Sequence, residues 1–265
     1  MLVTVVTPSL NGMKWLANCI ESVQLQATRN VDIEHVFVDG GSTDGTPEYA
    51  ASRGCTVLTR EEPSVHYAIN KGARNSSGEL LCVLGCDDIL LKGALDTVVR
   101  QYQRDRRRWL VGGCVWILED GRSLGELRAP PTWITARMAS SLGWSPFPSV
   151  YINRELFLEL GGYRSDFHYA GDYELYIRAL LREPFSRIRR PLLGSCRRPD
   201  NLSKERNAQH LTEHKAVIEM AGPPSDLQRL LNRYFLKIWI NAVNPTWSVR
   251  KRIGAVGAPR ISVTT

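Results

Sequence analysis

Leu80-Leu81-Cys82-Val83-Leu84-Gly85-Cys86-Asp87-Asp88 is the stretch on which the reading of this chain turns. An apolar run of strand length ends here on two adjacent carboxylates. Earlier, the run Ile33 to Val38 leads into Asp39-Gly40-Gly41-Ser42-Thr43-Asp44-Gly45, a second polar turn at what would be a strand's carboxyl end. In an open α/β sheet that end is where ligands bind. Two neighbouring carboxylates can hold a hard cation in octahedral geometry and leave most of its positions to phosphate oxygens and water. The two strand ends together point to a divalent metal and a nucleoside diphosphate.

Working outward, β-branched apolar runs alternate with helical patterns. Strands are expected at Val3 to Thr7, Ile33 to Val38, Cys55 to Thr59 and Leu80 to Leu84. Helices are expected at Trp15 to Gln26, Thr46 to Arg53, Tyr67 to Asn75 and Gly93 to Gln103. Such alternation predicts a mostly parallel sheet wrapped by helices, an α/β fold. The turn after the first strand is Thr7-Pro8-Ser9-Leu10-Asn11-Gly12, without the Gly-x-Gly-x-x-Gly of a dinucleotide-binding domain. It also lacks the Gly-rich, basic phosphate loop expected of a nucleotidyltransferase. Beyond Leu110 the pattern changes to Trp109 to Leu118, an Asp120-Gly121 turn and a proline-rich stretch, which predicts a mixed-sheet half shaped for an acceptor. The expected organisation is a catalytic domain over 1–205, with a nucleotide half 1–108 and an acceptor half 109–205, followed by a helical, basic tail over 206–265.

The 265 residues can bury a full core. Hydrophobic content of 43% and charged content of 23% are ordinary for a globular protein. No stretch approaches the ~20 apolar residues of a membrane span, and the N-terminus reads as a first strand rather than a secretory signal. A cytoplasmic location is expected. The six cysteines show no Cys-x-x-Cys spacing and sit mostly in apolar segments, so reduced, buried thiols are expected.

The net charge of +7 is concentrated at one end. Residues 227–265 carry seven basic and no acidic groups, leaving 27 of each sign in the rest. Leu227, Leu230, Leu231, Tyr234, Phe235, Ile238 and Trp239 recur there at helical spacing. An amphipathic basic helix suits an anionic membrane surface better than nucleic acid, which more often meets basic residues spread over a folded face. Peripheral contact with the inner face of the cytoplasmic membrane is the expectation, and no nucleic-acid partner.

Four motifs occur in order: Thr7-Pro8-Ser9-Leu10-Asn11-Gly12, Asp39 to Gly45, Asn70-Lys71-Gly72 and Cys86-Asp87-Asp88. With Gly161-Gly162-Tyr163 and Gly171-Asp172-Tyr173-Glu174-Leu175, the chain over about residues 2–203 resembles the family 2 glycosyltransferases of the GT-A fold. The resemblance implies sugar transfer with inversion from a nucleotide-diphosphate sugar, a UDP-sugar foremost, to a glycan or lipid-linked acceptor. It implies Mn2+ or Mg2+ as cofactor, held by Asp88 with Asp87, and Asp172 as the catalytic base. Thr7, Pro8, Ser9, Asn11, Asp39, Asn70, Lys71 and Asp87 are the implied nucleotide-binding residues. A non-catalytic sugar-nucleotide or glycan-binding protein on the same fold is the alternative, since fold does not fix function.

Some positions depart from the family pattern. Gly40 stands where many members have Asp, a change not expected to damage the nucleotide site; Tyr67 replaces an Asp in a shortened Glu62 to Asn70 run and Phe147-Pro148 replaces a common His-Gln pair, and these two changes are expected to alter sugar or acceptor choice. Asp172 is expected to cap the helix it opens, a role compatible with catalysis. His210-Leu211-Thr212-Glu213-His214 matches an inverted zinc-protease pattern, but no His, Asp or Glu follows Asp226 to complete a zinc site, and a solvated helix face is expected there. The Arg104-Arg106-Arg107-Arg108 cluster is likewise expected at a solvated surface.

Overall fold

The computed structural model describes residues 1–142, 145–198, 208–227, 230, 234 and 261. The first half follows the alternation of the sequence: β1 (Leu2–Ser9), α1 (Met13–Gln24), β2 (Asp32–Asp39), α2 (Thr46–Ser52), β3 (Thr56–Thr59), α3 (Val65–Arg74) and β4 (Leu80–Val83). After the Asp87-Asp88 turn come β5 (Ile89–Leu90) and α4 (Ala94–Asp105). The second half contains β6 (Trp109–Ile117), β7 (Ser123–Leu127), α5 (Ala136–Ser140), β8 (Ser149–Asn153), α6 (Arg154–Glu159), α7 (Gly171–Arg182), β9 (Ser186–Cys196) and α8 (Ala208–Met220).

These strands make one sheet in the order β3-β2-β1-β4-β8-β6-β9-β5, with β7 paired to β6. β1 to β4 run parallel, β5 pairs antiparallel with β9, and β8 enters antiparallel to β4 and β6. The mixed half is thus built onto the parallel half by β8, about 70 residues after β4 in the chain. This register brings the carboxyl ends of β1, β2 and β4 to one edge, with Ser9 opposite Asp39 and Asp39 opposite Thr59.

The two largest of the apolar cores pack on the sheet. One contains Cys19, Val23, Leu95, Val98 and Val99 from α1 and α4. The larger one contains Ile69, Leu156, Leu175 and Ile177 from α3, α6 and α7, with Val217 from α8. Gly72 explains how α3 lies so flat on the strands: a Cβ there would fall 2.5 Å from Val6 Cγ1. That close approach sets Asn70 and Lys71 beside the strand ends. Gly45 precedes α2 at φ 86, a left-handed turn that suits glycine.

Phe147, expected to influence substrate choice, is 5% exposed and packs among Trp109, Tyr176 and Phe185, with ring centroids 5.5–5.9 Å apart. Trp109 is fully buried and donates its indole N–H to the Glu183 carbonyl at 3.0 Å. Rings in such a cluster are worth about 3–5 kcal/mol each on truncation to Ala, so Phe147 is a core residue. All six cysteines are free thiols and five are buried, as expected. Among the described residues no helix is long and apolar enough to cross a membrane. Most of the amphipathic stripe read in the tail lies outside the described residues; Leu227, Leu230 and Tyr234 are described and all three are exposed.

Candidate active site

At the carboxyl edge of the parallel strands two loops are laced together. Asn11, at φ 51, accepts the Thr43 N–H on Oδ1 at 2.9 Å, and its own N–H goes to the Ser42 hydroxyl at 2.8 Å. The next two N–H groups, of Gly12 and Met13, go to Thr46 and Asp44. Ser42, Asp44 and Thr46 therefore fasten the β1–α1 loop. Asp39 ends β2 beside these loops, 4% exposed. Its Oδ2 accepts the N–H groups of Gly41 and Ser42 at 2.8 and 3.0 Å, while its Oδ1 is buried without a partner. A buried acceptor left without a donor costs about 1–3 kcal/mol.

Across β1, the chain leaves β4 and turns through Gly85 to Asp88. Asp87 Oδ1 and Asp88 Oδ2 lie 3.0 and 3.2 Å from the point that a Cβ on Gly85 would occupy. The two carboxylates thus converge as a cradle over Gly85, whose lack of a side chain leaves the space between them open. Asp88 Oδ1 accepts the Cys196 N–H at 2.8 Å, tying the turn to β9. Withdrawal from water, and then the neighbouring Asp87 charge, push the Asp88 carboxyl up to about 7. A cation in the cradle would offset both effects. Among the described residues no group of three or more His, Cys, Asp or Glu side chains could hold a metal ion. A hard cation here would rely on the Asp87 and Asp88 carboxylates and on oxygens of its ligand, a donor set that suits Mg2+ or Mn2+. Arg198 pairs with Asp87 at 3.0 Å and lies 4.1 Å over the Trp15 ring, adding a positive charge beside the cradle.

Asp172 stands in the first turn of α7, after the cap residue Ala170, and is not itself the N-cap. It is open to solvent yet crowded by protein around it; this desolvation holds its carboxyl above the usual range, opposed by the Tyr173 N–H at 2.7 Å and the nearby His66 ring. Two residues on, Glu174 is fully buried and pairs with Arg178 at 2.6 Å. Arg178 also donates to the Gly162 carbonyl at 2.7 Å, which binds the Gly161-Gly162-Tyr163 loop to α7.

The Glycosyl transferase family 2 model matches residues 4–183. The chain belongs to this family. An uncharacterized glycosyltransferase of Mycobacterium tuberculosis (strain ATCC 25618 / H37Rv) is 28% identical over 186 residues, 68% of this chain and 69% of its own length. Among solved structures, TarS 1–349 of S. aureus in complex with UDP-GlcNAc has a TM-score of 0.65 at 17% identity, covering 91% of this chain and 73% of that one. Glucosyl-3-phosphoglycerate synthase of Mycobacterium tuberculosis, in complex with Mg2+ and UDP, has a TM-score of 0.58 at 20% identity, covering 84% and 80%. The fold shared with these transferases is the expected GT-A fold.

Within this family 2 glycosyltransferase, the residues expected at the nucleotide fall into two groups. Pro8, Ser9, Asn11, Asp39 and Asp87 gather at the strand edge just described, and Lys71 joins them by donating to the Thr59 carbonyl and pairing with Glu61. Thr7 and Asn70 turn elsewhere. The Thr7 hydroxyl is fully buried and meets His35 Nε2 at 2.9 Å. The Asn70 amide is bonded on both sides to the backbone of Tyr163, at 2.7 and 2.8 Å, and holds the Gly-Gly-Tyr loop against α3. Sequence reasoning did not single out Arg198 or His66, neither of which belongs to the quoted matches. It noted Glu213 but expected a solvated helix face; Glu213 is 5% exposed and bonded to the loop before α7.

Proposed function

We propose that this glycosyltransferase moves a sugar from a nucleoside-diphosphate donor to a hydroxyl of a glycan or lipid-linked acceptor, with inversion and with Mn2+ or Mg2+. The observation that carries the proposal is the convergence of the Asp87 and Asp88 carboxylates over Gly85, at the strand edge that also holds Asp39. A nucleobase N–H would satisfy the unpartnered Asp39 Oδ1 at one end of the donor. At the other end, Asp87 and Asp88 would hold the cation, which offsets charge developing on the departing diphosphate. The donor would then span the gap between the two strand ends.

Asp172 supplies the second requirement, removal of the acceptor's proton. With Oδ1 on the Tyr173 N–H, its other oxygen can take the hydroxyl proton as the acceptor oxygen bonds to the anomeric carbon. The bond from that carbon to the diphosphate oxygen breaks, and the nucleoside diphosphate leaves with the electron pair. Attack opposite the leaving group inverts the anomeric centre. Possession of both Asp88 and Asp172 favours an enzyme over a binding module. UDP in TarS and in the mycobacterial synthase supports a UDP-sugar as the first donor to try, while GDP-Man with Mn2+ in the mannosyltransferase PcManGT from Pyrobaculum calidifontis makes GDP-sugars the next.

A thermal-shift screen of nucleoside diphosphates and their sugars tests this directly, because a ligand of the native state raises its apparent stability. At 100 times the dissociation constant the gain is about 2.7 kcal/mol. The expected result is a shift with one nucleobase that needs Mn2+ or Mg2+. No shift with any nucleotide, with or without metal, would remove the proposal.

The tail extends the same reading to the acceptor. Leu227, Leu230 and Tyr234 are 65%, 51% and 58% exposed, and seven uncompensated basic residues follow Asp226, so we place peripheral contact with anionic lipid at 227–265. Each basic residue near such a surface can add about 1 kcal/mol. Full-length protein is expected to sediment with phosphatidylserine vesicles at low salt and to lose binding at high salt. Equal binding by a chain ending at Asp226 would show that the tail is not the anchor.

A further inference from the structure

Helix α8 lies beyond the residues matched by the family model, yet it reaches the backbone that leads into Asp172. The two carboxylate oxygens of Glu213 accept three consecutive N–H groups: His168 at 3.0 Å, Tyr169 at 2.8 Å and Ala170 at 2.8 Å. Burial alone would raise the Glu213 carboxyl, but the three donors hold it below its ordinary range. Successive N–H groups aimed at one anion form a concave backbone nest, a shape that the anion itself stabilises. Ala170, the last of the three, is the cap residue of α7, two positions before Asp172. Four residues after Glu213, Val217 is fully buried in the larger core.

The opposite side of this loop is held by α3. The His66 ring stacks on Tyr163 with centroids 5.0 Å apart, and its Nδ1 lies 2.7 Å from the Phe167 carbonyl oxygen. The ring also abuts Gly171, where a Cβ would fall 2.4 Å from His66 Cε1. Residues 167 and 171 are thus fixed by α3, and the N–H groups of the three residues between them are held by Glu213.

We propose that Glu213 is a positioning residue for sugar transfer: its carboxylate sets the path of residues 168–170 and through it the aim of Asp172. This rests on the reading of Asp172 as the base. It makes α8 part of the working site rather than the start of an appendage. A carboxylate that merely stabilised the fold would change how much protein is folded; one that aims Asp172 changes the rate of the folded protein.

The test compares Glu213→Ala, Glu213→Gln and Val217→Ala, with Asp172→Asn alongside, in the full chain well below each melting temperature. The donor is the nucleotide sugar giving the largest thermal shift, water is the acceptor, and the readout is released nucleoside diphosphate. Glu213→Ala is expected to lower kcat by about 10- to 100-fold, the scale for a reacting group displaced by ~1 Å, with donor affinity within about twofold of wild type on the same argument. Glu213→Gln, which keeps one acceptor oxygen, should fall between. Val217→Ala should melt lower but retain kcat, since it loosens α8 while leaving the carboxylate in place. A Glu213→Ala kcat within about twofold of wild type, or an equal loss in Val217→Ala, would overturn the positioning role. Should Asp172→Asn still turn over normally, the base assignment falls and the positioning role with it, an outcome distinct from failure of Glu213 alone.

Discussion

Asp172→Asn is expected to reduce transfer by ~10²-fold or more, the contribution of a general base, while donor affinity stays close to that of the wild type. The amide keeps the side chain's shape and can still accept the Tyr173 N–H, but it cannot take a proton from the acceptor. The pH profile carries a second signature. Desolvation holds the Asp172 carboxyl above the usual range, so its working, deprotonated form is lost as pH falls through that raised value. The acid limb of kcat should therefore lie above the ordinary carboxylate range and disappear in the Asn variant. Steady-state rates across pH with saturating donor check both points. Rates within about threefold of wild type would assign the proton to another residue.

Asp88→Ala is expected to remove metal-dependent binding of the nucleoside diphosphate, with a loss of roughly 10²-fold or more in affinity, as for the loss of one member of a desolvated charge pair. The cradle over Gly85 would keep a single carboxylate, Asp87, which is already paired with Arg198 at 3.0 Å. Calorimetric titration of UDP or GDP with and without Mn2+ measures the effect. Undiminished metal-dependent binding by the variant would dissociate Asp88 from the cation. The two variants should also separate cleanly, Asp88→Ala failing at donor binding and Asp172→Asn only at turnover.

The sequence by itself determined the parallel half of the fold and the strand-end carboxylates. Strand and helix in that half follow from local apolar periodicity, which survives into the structure with ends moved by at most two residues. Asp87 and Asp88 are neighbours in the chain, so the pair needed no folding to be recognised, whereas Ser42, Asp44 and Thr46 fasten the β1–α1 loop while Gly45 is the cap residue of α2. Tertiary structure decided the rest. It turned Asn70 toward Tyr163, 93 residues away, and buried Phe147 among aromatic rings from distant segments. It joined Asp88 to Cys196 across 108 residues and carried Glu213 to the loop before Asp172. Local pattern reports which face of an element is apolar; it does not report which distant backbone donors a carboxylate will meet once the sheet has been closed. For Glu213 that difference is decisive, because a charged residue on a short helix reads as solvated until three N–H groups from another loop replace its water.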